Sequence, residues 1–255
     1  MAEITLQNVS VDFTVYTPQT RAIKAAIFTK LGGRLAPHNQ TITVRALDDI
    51  TLRLRDGDRL ALVGHNGAGK TTLLRVISKV YPPVRGSVDV IGKLACYTDI
   101  MLGMEPEATG WQNILFRCVF MGLTFSEAKA LTPAIAEFSE LGQYLDLPVR
   151  TYSSGMFLRL AFAITTAVQP DIVVMDEMIA AGDAQFLDKA QRRMNELLAR
   201  ARILVLASHS EAIIRAFCTT ALWLEKGRVR MIGSVADVLQ AYLTPGGDRY
   251  QSCRS

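Results

Sequence analysis

Nine consecutive residues, Gly64-His65-Asn66-Gly67-Ala68-Gly69-Lys70-Thr71-Thr72, carry the chemistry most easily read from this chain. Three glycines let a backbone turn tightly and aim its N–H groups inward, so that it can wrap the β- and γ-phosphates of a nucleotide. Lys70 adds a cation at those phosphates, and the Thr71 hydroxyl suits Mg²⁺. An apolar run, 59–63, precedes the loop, and a helix-like run begins at Lys70. A helix starting there adds the positive end of its dipole to the anion site.

A second group lies about a hundred residues on. Asp171-Ile172-Val173-Val174-Met175-Asp176-Glu177 reads as a buried strand ending in two carboxylates. In a parallel sheet, ligands bind at that end of the strands. Asp176 is suited to the Mg²⁺ shell, commonly through water, and Glu177 to polarising the water that attacks a γ-phosphate. His209 follows the next apolar strand, 203–207, where its imidazole could reach the same phosphate and water. Between the loop and the acidic strand stands Tyr152-Ser153-Ser154-Gly155-Met156, running into the amphipathic segment FLRLAFAITTAV. A serine hydroxyl and backbone N–H groups at a helix start can bind a γ-phosphate.

These groups need elements to hold them. The apolar patterns predict strands at 3–9, 41–46, 50–55, 59–63, 86–91 and 94–98. Helices follow at 110–121, 126–140 and 155–168, then strand 171–175, helix 184–200, strand 203–207 and helix 210–216. Strands 220–225 and 228–232 and a helix at 234–243 close the pattern. Strands alternating with helices imply a parallel sheet in the C-terminal half. The stretch 99–168 carries no convincing strand and reads as an inserted helical subdomain.

Composition sets bounds. The chain has 255 residues, 49% of them hydrophobic, and a net charge of +4 from 28 basic and 24 acidic residues. That balance does not indicate a dedicated nucleic-acid binder. No apolar run approaches the ~18 residues that a membrane span requires. The N-terminus lacks the charged-then-apolar pattern of a leader, so a cytosolic chain is expected. Cys96, Cys118, Cys218 and Cys253 match no metal-ligand spacing and are expected to be reduced, mostly buried thiols.

Taken together, the loop at 64–72, the YSSGM start, the Asp176-Glu177 strand end, the Ala181-Gly182-Asp183 turn and His209 resemble the nucleotide-binding subunit of an ATP-binding cassette (ABC) transporter over nearly the whole chain. The resemblance implies an α/β fold: a P-loop ABC ATPase with a parallel-sheet core, an antiparallel β subdomain and an inserted helical subdomain. It implies one ATPase domain over 1–245, with the helical part at about 99–168, and a tail at 246–255. It further implies ATP and Mg²⁺ as cofactors and a homodimer packed head-to-tail. Each ATP then lies between one protomer's phosphate loop and the Ser153-Ser154-Gly155 start of the other, with Asp183 also at the nucleotide. Ser154 stands where Gly is more usual, and Met156 where Gln is. An aromatic near the first strand usually stacks on adenine in this family; Phe13 is the first match and Tyr16 the second. The glutamine that couples nucleotide to the membrane subunit corresponds to Asp99, whose carboxylate could still reach Mg²⁺ through water.

Asp99 in place of that glutamine, the YSSGM spelling and the segment Pro106 to Asn113 are similar to the polysaccharide-exporting subfamily, which handles O-antigen, capsule and teichoic acid. The O-antigen type is the nearest fit. Some relatives carry a C-terminal carbohydrate-binding domain; too few residues follow the helix expected at 234–243 to hold one here. The implied partners are a separate transmembrane permease subunit and a lipid-linked glycan. The implied place is the cytoplasmic face of the inner membrane, as a peripheral subunit. Coupling contacts are expected between Asp99 and Asn113, with Trp111 and Phe116 docking on the permease.

Residues 13–47 contain Arg21, Lys24, Lys30, Arg34 and Arg45 and no acid. Thr17-Pro18 can start a helix and Gly32 stop it, with Ile23, Ala26, Ile27 and Leu31 on one face. The expectation is a basic amphipathic element near the membrane, meeting the permease or the pyrophosphate of the glycan carrier. Three rivals share the motifs. A transporter of another substrate, such as an importer or drug exporter, is separated by neighbouring genes. A soluble cassette ATPase acting on DNA or ribosomes usually needs two cassettes or long arms. A regulatory module without hydrolysis would be expected to lack Glu177 or His209.

Overall fold

A computed structural model describes residues 1–15, 42–97, 101, 103–176 and 184–244. Three strands, β1 (Glu3–Val15), β2 (Ile42–Arg55) and β4 (Arg85–Ile91), form an antiparallel sheet in the order β2-β1-β4. Alternation sets its inner face. Ile4 and Leu6 of β1 and Ile50, Leu52 and Leu54 of β2 are buried, while Thr51, Arg53 and Arg55 between them are exposed.

The larger sheet takes β3 (Arg59–Val63), β5 (Leu94–Cys96), β6 (Ile172–Asp176), β7 (Ile203–Ala207), β8 (Thr220–Glu225) and β9 (Arg228–Ser234) in the order β5-β6-β7-β3-β8-β9. It is parallel from β5 to β8, and β9 returns antiparallel. Strands β6 and β7 are unbroken apolar runs because both faces are covered. Ile172, Val174, Ile203 and Val205 point into a core shared with the antiparallel sheet and helix α1 (Lys70–Ile77). Val173, Met175, Leu204 and Leu206 point the other way, onto Phe186, Ala190, Met194 and Leu198. Those four lie at helical spacing on α5 (Ala184–Arg200).

Helices α2 (Gly110–Phe120), α3 (Phe125–Ser139) and α4 (Ser154–Thr165) enclose a third core around Ile114, Ile135, Leu145 and Ile164. Thr109 with Gln112, and Thr124 with Glu127, form reciprocal capping boxes that fix where α2 and α3 begin. The helical part joins the α/β body through three rings. Phe138 of α3 lies 6.2 Å from Phe162 of α4 and 5.7 Å from Phe186 of α5, and Phe162 and Phe186 are 6.0 Å apart. Lys189 Nζ and the Arg193 guanidinium sit 4.6 and 4.1 Å from the centre of the Phe138 ring.

Two strands differ from their sequence-based bounds. β1 continues to Val15 rather than ending near residue 9, and 42–55 is one strand rather than two. The cause is a paired irregularity. Asn8 and Asp49 both adopt left-handed backbone (φ 49 and 58), and Asn8 Nδ2 donates to Asp49 Oδ1 at 2.9 Å. The register shifts there and pairing resumes beyond it. The polar run Asp48-Asp49 is therefore a bulge, not a turn.

The basic helix expected between Thr17 and Gly32 lies outside the described residues. Arg45 belongs to β2, within the strand expected at 41–46. Among the described residues no helix is long and apolar enough to cross a membrane.

Candidate functional site

The loop between β3 and α1 is held by close backbone approach. A Cβ at Gly64 (φ +152) would come within 2.4 Å of the Leu224 carbonyl, and one at Gly69 (φ +109) within 2.8 Å of the Ala46 carbonyl. Neither position admits a side chain. Three backbone bonds brace the loop from behind: Ala68 N donates to His65 O, Gly227 N to Ala68 O, and Asp48 N to Gly227 O. The turn between β8 and β9 and the middle of β2 thus support the phosphate loop.

Helix α1 begins directly after Gly69, so its first N–H groups face the loop's concave side. Lys70 is buried, and its ammonium donates to Gly64 O at 2.6 Å and His65 O at 3.1 Å. The Thr71 hydroxyl donates to Asp176 Oδ2 at 2.6 Å. That contact joins the loop to the acidic strand end.

Parallel register does the rest. Asp176 pairs with Ala207, and Leu62 with Ala207 on the other side, so the ends of β6, β7 and β3 lie side by side. Ser208 is buried and accepts from Ser210 N, while Ser210 caps α6 (Glu211–Phe217) by accepting from Ile213 N. His209 stands exposed between them. A cleft of about 360 Å³ opens here, lined by Asn66, Gly67, Gly69, Lys70, Thr71, Thr72, Asp176 and His209. The loop, the acid and the histidine expected from sequence therefore share one cavity, with Gly64, His65 and Ala68 shaping the loop around it.

Other expected residues sit elsewhere. Ser153 caps α4, its Oγ accepting from Met156 N at 3.2 Å, and Ser154 and Gly155 open the helix. None of the three lines the cleft of its own chain. Tyr152 anchors this start: its hydroxyl donates to Tyr144 O at 2.7 Å, and burial pushes its phenol up to about 12. Phe13 pairs across the sheet with Val44, which lines the cleft, but its own ring meets Tyr81 edge-on at 5.3 Å. Glu177, Asp183, Asp99 and Tyr16 lie outside the described residues.

The cleft also has a wall that sequence reading missed, made by Val44, Arg45 and Ala46 of β2 and by Lys226 and Gly227 of the β8–β9 turn. Arg45 is fixed edgewise. Its Nε and Nη2 donate to the two oxygens of Asp12 at 2.9 and 3.3 Å, and Nη1 to Asp48 at 3.1 Å. Asp48 also accepts from Arg228 Nε at 2.7 Å. The hydrogen bond from Arg45 holds the Asp12 carboxyl below its usual value, and the one from Arg228 does the same for Asp48.

A phosphate loop at the carboxyl ends of a parallel sheet, an acid bonded to the loop's threonine and a helical insertion define a nucleotide-binding ATPase cassette. Residues 47–180 match the family described as ABC transporter, and the chain belongs to that family. It is 39% identical over 231 residues to the O-antigen export system ATP-binding protein RfbE of Yersinia enterocolitica, covering 90% of this chain and 97% of that one. The O-antigen export system ATP-binding protein RfbB of Myxococcus xanthus is 38% identical, but the match covers only 46% of its length and 78% of this chain. The teichoic acids export ATP-binding protein TagH of Listeria innocua is 33% identical over 94% of this chain and 69% of its own. Among solved structures, an ATP-binding subunit of an ABC transporter aligns with a TM-score of 0.66 at 21% identity, over 94% of this chain and 92% of that one. A dimeric ATP-binding cassette in a post-hydrolysis state with ADP and phosphate aligns at 0.63 and 17%, over 91% and 98%. These two likenesses establish the fold.

Proposed function

We infer that this chain is the ATP-hydrolysing motor subunit of an ABC transporter that exports a lipid-linked, O-antigen-like polysaccharide across the inner membrane. The hydrogen bond between Thr71 and Asp176 carries the catalytic half of the reading, because it brings the phosphate loop and the acidic strand end to one point. The relatives that match across most of their length carry the substrate half.

The loop N–H groups and Lys70 hold the β- and γ-phosphates, and His209 orients the γ-phosphate and the attacking water. Glu177 takes that water's proton. Catalysis is mostly positioning and charge neutralisation, as phosphoryl transfer requires. The Thr71 hydroxyl and Asp176 carboxylate converge as a hard oxygen donor pair, which fits Mg²⁺; when bound, the ion would neutralise phosphate charge there. Residues 1–245 act as one ATPase domain with the helical part at about 99–168.

Ser153, Ser154 and Gly155 lie away from their own cleft and serve an ATP on the other protomer of a head-to-tail homodimer. The subunit sits on the cytoplasmic face of the inner membrane against a separate permease. Phe116, Val119 and Phe120 of α2 and the neighbouring Phe125 are exposed apolar side chains, and they form the docking face.

Two measurements test this. Purified protein should hydrolyse ATP, and Glu177→Gln should trap an ATP-bound dimer on size-exclusion chromatography; rapid turnover by that variant removes Glu177 from its role. Deleting the gene in its host should leave lipid-linked glycan inside the cell and none on the surface. Loss of uptake of a small solute, with surface glycan intact, would overturn the export reading.

A further inference from the structure

We propose that Glu140 and Lys189 form a latch that sets where the Ser153-Ser154-Gly155 start stands relative to the cleft of its own chain, and that both are positioning residues for ATP hydrolysis. That role presupposes the head-to-tail homodimer.

Such a dimer imposes a length on each chain. One protomer gives its cleft to one ATP and its serine start to the other. The span between the two within a chain must therefore match the span between the two nucleotides. The cleft belongs to the α/β body and the serine start to the helical insertion. Small misplacements at a reacting phosphate are costly, so one part must be held firmly against the other.

Glu140 is placed to do this. Its Oε1 accepts from Lys189 Nζ of α5 at 2.6 Å, and its Oε2 lies 3.8 Å from Arg159 Nη1 of α4. One carboxylate thus ties the helix that opens with the serines to the helix lying on β6, the strand that ends in Asp176. Lys189 adds two contacts. Its ammonium donates to the Phe138 carbonyl at 3.2 Å and lies 4.6 Å from the centre of the Phe138 ring. A cation of the body therefore caps the C-terminal end of α3. Arg159 crosses the same boundary, its guanidinium 5.1 Å from the centre of the Phe186 ring on α5.

The backbone of Glu140 is a second, independent observation. It closes α3 in the left-handed region (φ 57, ψ 27), where glycine is the usual residue and a side chain is strained. A partly exposed ion pair stabilises a fold only slightly, so stability alone would favour glycine here. The strain is kept where the carboxylate is needed. From this anchor the chain runs to Ser153 through buried Leu141, Leu145 and Val149, and Tyr152 bonds the Tyr144 carbonyl.

The test uses Glu140→Gly, Lys189→Met and Lys189→Arg in the full chain. Each is assayed alone for turnover, and with Glu177→Gln for ATP-driven dimerisation by analytical ultracentrifugation. Glu140→Gly relieves the strained backbone, so its melting temperature should hold or rise. ATP affinity of the dilute monomer should stay within about twofold of wild type, because no cleft residue changes. Dimerisation should nevertheless weaken about tenfold: if about one chain in three keeps the matching span, two chains compound the loss. Turnover should fall with it. Lys189→Met should behave alike in dimerisation and turnover, and it carries the comparison if Glu140→Gly fails to fold. Lys189→Arg keeps the ion pair and should dimerise nearly as wild type. Normal dimerisation in either Glu140→Gly or Lys189→Met, or Lys189→Arg as weak as Lys189→Met, overturns the proposal. So does a loss in Glu140→Gly that merely follows a lower melting temperature. No ATP-driven dimer from Glu177→Gln alone would instead sink the head-to-tail reading itself.

Discussion

The hydroxyl of Thr71 and the carboxylate of Asp176, 105 residues apart in sequence, meet in a 2.6 Å hydrogen bond. One residue lies in the first turn of α1 and the other ends β6, so this contact fixes the spacing between the phosphate loop and the acidic strand end. Thr71→Val keeps the side chain's shape and removes the donor. ATP hydrolysis should fall at least about tenfold, equivalent to one charge-assisted hydrogen bond of about 1.5 kcal/mol. Phosphate release measured beside an unchanged circular dichroism spectrum checks this. Turnover equal to wild type would separate the contact from catalysis.

Gly64 and Gly67 should respond differently to alanine. At Gly64 the new Cβ meets the Leu224 carbonyl at 2.4 Å, whereas at Gly67 (φ +81) it meets nothing within 4 Å. Gly67→Ala should cost only its backbone strain, about 1 kcal/mol. Gly64→Ala should cost about 2–3 kcal/mol and displace the β8 end that supports the loop. Urea midpoints for the two variants give the comparison directly.

The start of α4 depends on a tight contact in α2. A Cβ on Gly110 would lie 2.5 Å from the Tyr152 hydroxyl and 2.7 Å from Leu145 Cδ2. Gly110→Ala should therefore push Tyr152 off the Tyr144 carbonyl and loosen the Ser153 cap, worth about 1 kcal/mol. Amide exchange at 153–156 should quicken. Tyr152→Phe alone, which removes the bond to the Tyr144 carbonyl without crowding it, should quicken the same amides; no change in exchange in either variant would contradict the contact.

Two thiols set a pH dependence. Burial pushes the Cys218 thiol up to about 12 and raises Cys118 as well. An unfolded cysteine ionises near 8.5. Above that pH the unfolded chain is the state that loses protons, so these groups should lower stability as pH rises from about 8.5 toward the folded value of Cys218. Melting temperatures between pH 8 and 10 should fall, and less so in Cys218→Ala. In the native protein at pH 8, iodoacetamide should label neither Cys118 nor Cys218, as mass spectrometry can report.

The parts of this molecule that are local in sequence were readable in it. Loop 64–72 combines glycine freedom, a lysine and a threonine between strand and helix, and β6 is an unbroken apolar run ending in acid. What could not be read depends on partners far along the chain. Asn8 and Asp49 look like turn residues until they are seen facing each other across a bulge. Arg45 looks like one more cation in an acid-free stretch until Asp12 and Asp48 take its edges. The second wall of the cleft escaped for the same reason, since Val44, Ala46 and Gly227 carry no chemistry of their own.

The ring cluster of Phe138, Phe162 and Phe186 has a thermodynamic consequence. Two of its rings belong to the helical insertion and one to the helix lying on the β6–β7 face. Neither part can lose its packing without exposing the other's aromatic surface. Melting should accordingly be cooperative across the insertion and the sheet, with one calorimetric peak and no earlier loss of the helices. Force applied to the helical part by a membrane partner would then reach the sheet as strain, not as local unfolding.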